Sequence, residues 1–61
     1  MIRESDIMHE TASGHYVLRT RAGYEAIKCR GMYSETDSTY PLNADGLSIA
    51  IARVNGMERR R

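Results

Sequence analysis

The chain has no Trp, no Phe, one Pro and one Cys in 61 residues. The lone thiol, Cys29, excludes an intramolecular disulfide. There is no CxxC, no HExxH and no Cys2His2 spacing, so a structural zinc site has no support; His9, His15 and Cys29 are the only soft ligands. No window approaches the roughly 18 apolar residues that a membrane-spanning helix needs. The first 14 residues are polar and acidic, the wrong chemistry for a secretion signal. A free thiol fits a reducing compartment, so the expected location is cytoplasmic. Strong net charge is lacking too: nine cations against eight acids give +1, which excludes a polybasic or polyacidic chain.

Phosphate-cradling glycine patterns are also absent, since Gly14, Gly23, Gly31, Gly46 and Gly56 are spread out and fit turns and helix ends. Cys29 falls on an apolar strand face, where it reads as a small hydrophobe and not as a nucleophile. Ser34, Glu35, Asp37 and Ser38 supply hydroxyls and carboxylates without an obvious base. A domain this small has little room for a deep, dry pocket. The expectation is therefore a non-enzymatic chain with no cofactor and no bound metal.

What is present supports one small domain. Apolar residues make up 41% of the chain, enough for a core and too many for wholesale disorder. That core must be thin, because a chain near 60 residues buries only about 60% of the surface it exposes when unfolded. Small domains often add stability by oligomerising, which makes a homodimer a natural expectation.

Charge alternates in blocks. Residues 1–14 carry −2, residues 15–31 carry +3, residues 32–52 carry −3 and residues 53–61 carry +3. The total of +1 hides these local fields.

Residues 1–14 read as a partly flexible arm ending in a turn at Thr11-Ala12-Ser13-Gly14. Residues 15–61 read as the domain. HYVLRTR and YEAIKCR flank Ala22-Gly23, which predicts an antiparallel hairpin with strands at 15–21 and 24–30. With Ala22 and Gly23 as the loop, Arg21 faces Tyr24, Leu18 faces Ile27 and Tyr16 faces Cys29. A three-residue loop with a glycine bulge is the alternative and changes these partners. MYSETDSTYPLN reads as a flexible acidic loop with a short third strand around Thr39 and Tyr40, ended by Pro41.

From Asn43 or Asp45 the period becomes helical. Asp45 suits the helix start. Leu47, Ala50, Ile51, Val54 and Met57 form one apolar stripe, with Ser48, Asn55 and Arg59 opposite. The helix ends at Gly56 or continues to Arg60. The fold class is α+β: a small two-layer β-β-(β)-α domain, with the hairpin packed on the C-terminal helix.

Period-two alternation sorts the hairpin into two faces. Tyr16, Leu18, Thr20, Glu25, Ile27 and Cys29 share the mostly apolar face, which is expected to meet the helix. His15, Val17, Arg19, Arg21, Tyr24, Ala26, Lys28 and Arg30 share the other, which is expected to face water. Arg19, Arg21, Lys28 and Arg30, with His15 and Tyr24 among them, form a cationic plate suited to nucleic-acid phosphates and base stacking. A solvated sheet face is the plainer reading of the same residues. Arg53, Arg59, Arg60 and Arg61 make a second basic patch, which also complements the helix dipole.

The resulting expectation is a binding domain contacting nucleic acid through the basic face. A protein-interaction or homodimerising module is the alternative, with Val17, Tyr24 and Ala26 at its interface. A small enzyme ranks third, and no membrane contact is expected.

Overall fold

A computed structural model describes residues 4–58. A 3-10 turn at Glu4–Asp6 leads into β1 (Ile7–Glu10), β2 (Tyr16–Thr20), β3 (Gly23–Arg30) and β4 (Tyr33–Tyr40), and the helix α1 (Ala44–Gly56) follows. The strands form one antiparallel sheet in the order β1-β2-β3-β4. The helix packs on one face of it, so the two-layer α+β architecture read from the sequence is present.

The hairpin turn is displaced from its expected place. Thr20 pairs with Gly23, leaving Arg21 and Ala22 as the loop. The Thr20 hydroxyl organises this turn, accepting the Ala22 N–H at 3.1 Å and donating to the Gly23 carbonyl at 3.0 Å. Gly23 is needed there for two reasons. Its φ is +142°, and a Cβ would lie 2.2 Å from the Tyr40 carbonyl oxygen. Tyr16 therefore faces Ile27, Leu18 faces Glu25, and Arg19 faces Tyr24. The shift is by two residues, so the side chains stay sorted into the same two sets.

Two segments differ more. Ile7–Glu10, within the arm that reads as partly flexible, pairs with β2 as a strand. Residues 33–40, read as an acidic loop with a short strand, form an eight-residue edge strand paired along β3. Thr36, Thr39, Tyr33 and Tyr40 favour extended backbone. Their pattern is polar on both faces, which hides the alternation. A bulge at Asp37 lets Ile27 pair with Thr36 while Ala26 pairs with Ser38.

Asn43, rather than Asp45, caps the helix, its side-chain oxygen accepting the Gly46 N–H at 2.7 Å. Gly46 permits a close crossing: a Cβ there would lie 1.9 Å from the Pro41 carbonyl oxygen. The expected helical stripe faces the sheet, with Ala50 and Val54 fully buried and Leu47, Ile51 and Met57 packed around them.

The main correction concerns which sheet face the helix covers. The fully buried core is Val17 and Ala26 from the sheet with Ala50 and Val54 from the helix. Met8, Tyr24 and Tyr40 pack against it. These sheet residues belong to the face expected to be solvated. Tyr16 and Leu18, expected in the core, are half-buried on the side the helix leaves uncovered. The physical reason is approach distance. Ala26 opposite Val17 leaves a shallow floor onto which Ala50 and Val54 can settle closely. Arg19 and Lys28 lie at the margins, where long stems can reach water.

Candidate interaction surface

The helix divides the residues assigned to the basic plate. Val17 and Ala26 are fully buried, and Tyr24 packs against the core. The Val17, Tyr24 and Ala26 interface expected for a dimer is thus occupied by α1. Arg19 Nη2 lies 3.2 Å from Asp6 Oδ1, and Arg30 Nε lies 3.1 Å from Glu35 Oε2. Arg21 is exposed in the turn, and Lys28 is half-buried. Ion pairs found among the described residues do not include Arg21 or Lys28. Arg59, Arg60 and Arg61 lie outside the described residues.

Lys28 and Arg53 do come together. With Asp37, Ala52, Gly56 and Met57 they line a hollow of about 260 Å³ between β3, β4 and the end of α1. The bulge turns the Asp37 carboxylate to Arg53, at 2.6 Å from Nε and 3.3 Å from Nη2. This hydrogen-bonded pair holds the Asp37 carboxyl below its ordinary range, with Ser38 and the Lys28 charge contributing. Arg53 is correspondingly raised. A phosphate here would compete with Asp37 and meet the negative end of the helix dipole. The hollow is therefore poorly suited to anions.

His15 is buried and belongs to a polar clamp. Its Nδ1 accepts the Cys29 N–H at 3.0 Å, which leaves the proton of the neutral ring on Nε2. That nitrogen lies 3.8 Å from Glu58 Oε2. Glu58 also accepts from Thr11 Oγ1 at 2.6 Å, and from the Ser13 N–H and Oγ at 3.1 Å each. These donors, Thr11 first, hold the Glu58 carboxyl below its ordinary range. His9 Nε2 meets Asn55 Oδ1 at 2.9 Å nearby. The Thr11 and Ser13 hydroxyls point to the carboxylate and not to the imidazole. The cluster fastens the β1–β2 turn to the end of α1. The Cys29 thiol turns away and donates to the Gly14 carbonyl at 3.0 Å. Among the described residues, no group of three or more His, Cys, Asp or Glu is placed to hold a metal ion.

The uncovered sheet face carries its own apolar set. Ile7 pairs with Leu18, and Tyr16 pairs with Ile27, so all four share this face. Ile27 is only 5% exposed, while Ile7, Tyr16 and Leu18 are half-buried. Tyr16, Leu18, Ile27, Glu25, Ser34, Glu35 and Thr36 line a shallow hollow of about 200 Å³. Glu25 Oε1 accepts from Thr36 Oγ1 at 3.2 Å, and Oε2 lies 3.1 Å from Thr20 Oγ1. Thr20 has one hydroxyl proton for two acceptors, Glu25 and the Gly23 carbonyl. Glu25 therefore keeps acceptor capacity to spare.

Sequence reasoning grouped Tyr16, Leu18, Glu25 and Ile27 but placed them under the helix. Thr20 and Glu25 were the available warning, since both are polar residues on a face supposed to be dry. Thr36 gives no such signal in the sequence, because its strand is polar on both faces and reads as a loop.

No protein-family model, curated protein or solved structure matches this chain.

Proposed function

We propose that this chain is a non-enzymatic interaction domain that binds a partner polypeptide through the uncovered face of its sheet. The observation behind this reading is the placement of Ile7, Tyr16, Leu18 and Ile27 on a face that no second layer covers among the described residues. Helix and sheet meet through Val and Ala alone at the fully buried centre, so bulkier apolar side chains are left for an outside contact.

Nucleic acid is the weaker reading. Its phosphate contacts would need Arg19, Arg21, Lys28 and Arg30 on one plate, and α1 stands across that face. Arg19, Arg30 and Arg53 have carboxylate partners that would have to be displaced. The uncovered face carries Glu10 and Glu25, and carboxylates repel phosphate.

The test is selection of a displayed random peptide library on the folded protein, repeated on the Leu18→Lys variant. Enriched peptides whose binding is lost on Leu18→Lys support the reading. No enrichment, or binding indifferent to Leu18, overturns it.

A further inference from the structure

The proposed interaction face has a chemical bias that specifies its partner further. Its hollow, at about 200 Å³, is smaller than the roughly 300–1,000 Å³ typical of small-molecule pockets. That size suits one inserted side chain. The floor is apolar, from Leu18 and Ile27, and Tyr16 adds an aromatic ring. Among the described residues, Glu25 and Glu35 are the charged members of the lining, with no cation in it. Glu35 is paired with Lys28 on the helix side of the sheet and its carboxylate engages Arg30 there, so Glu25 is the lining carboxylate on the uncovered face. Among the described residues, the side-chain partners of Glu25 are hydroxyls, one of them shared, and no cation pairs with it. Glu10 lies further along the same face, opposite Tyr16.

Building on the proposed interaction reading, we infer that the hollow receives a long cationic side chain, Lys or Arg, presented by a partner polypeptide beside an apolar residue. The aliphatic stem lies on Leu18 and Ile27, and the charged head reaches Glu25. A second copy of this face fits less well, because it would set Glu10 and Glu25 against the same carboxylates. Pairing through β4 meets a similar obstacle: that edge carries Glu35, Asp37 and a bulge, all features that discourage strand addition.

The experiment uses the enriched library peptides as probes, with affinities measured by calorimetry on wild type, Leu18→Lys and Glu25→Gln. Folding of each variant is verified by its amide NMR spectrum. The expected result is enrichment of Lys or Arg next to an apolar residue, with Glu25→Gln weakening binding about tenfold. Raising salt from about 50 to about 500 mM should weaken wild-type binding and affect Glu25→Gln less. Peptides that need Leu18 but are indifferent to Glu25 and to salt would overturn the cationic assignment and leave the interaction face intact. No Leu18-dependent peptide overturns both. Self-association lost on Leu18→Lys, read by sedimentation equilibrium, would assign the face to a second copy instead.

Discussion

Val17 and Leu18 are neighbours in β2 that face opposite ways: Val17 is fully buried beneath the helix, and Leu18 is half-buried on the side that the helix leaves uncovered. The smaller residue is the core residue. This relationship sets both the stability and the proposed binding surface, because each strand residue can serve only one face.

Truncations at these two positions should differ accordingly. Val17→Ala removes buried volume beside Val54 and should cost about 2 kcal/mol. Leu18→Ala removes more atoms but fewer buried ones, and should cost under about 1 kcal/mol. Urea denaturation of both variants provides the comparison.

Gly46 controls how closely α1 follows β4. Gly46→Ala would place a methyl 1.9 Å from the Pro41 carbonyl oxygen, so the strand-to-helix crossing must open. The expected loss is about 3 kcal/mol, despite alanine's better helix propensity. Gly56 has nothing within 4 Å of a built Cβ, and Gly56→Ala should be neutral or stabilising. Thermal denaturation reads both.

The helix cap gives a separate test. Asn43→Ala removes the acceptor for the Gly46 N–H and should cost about 1 kcal/mol. Asp45→Ala, two residues further on, should cost less, because Asp45 contributes only its charge near the dipole. Circular dichroism during urea titration would separate the two.

Acid should loosen two attachments. Asp37 and Glu58 both have carboxyls held below their ordinary values, by Arg53 and by Thr11 respectively. A lowered folded pKa means that the unfolded chain binds the proton more readily. The stabilisation is complete above the ordinary carboxylate range, and is lost as pH falls from about 4 through the lowered values. Both groups are solvent-accessible, so each effect should be small. Glu58→Gln and Asp37→Asn should each flatten the fall of melting temperature between about pH 5 and pH 2.

Much of the fold was legible because its signals are local. The helical stripe from Leu47 to Met57 declares its own period, and Tyr16–Thr20 with Gly23–Arg30 alternate clearly. The even register shift preserves which residues share a face, although the partners change. Two things were hidden. Residues 33–40 lack an apolar face, so their extended state depends on pairing with β3. The choice of covered face depends on fit between Ala26, Val17, Ala50 and Val54, a tertiary property that favours small residues over greasier ones. A reading based on hydrophobicity alone ranks Leu18 and Ile27 above Val17 and Ala26, and so selects the wrong side.

The most direct test is methyl NMR with a soluble paramagnetic probe, which broadens side chains in proportion to their access to water. Ile7 and Leu18 methyls should broaden strongly, while Val17 and Val54 methyls stay sharp. Sharp Leu18 with broadened Val17 would mean that the helix lies on the other face, and the proposed binding surface would be gone.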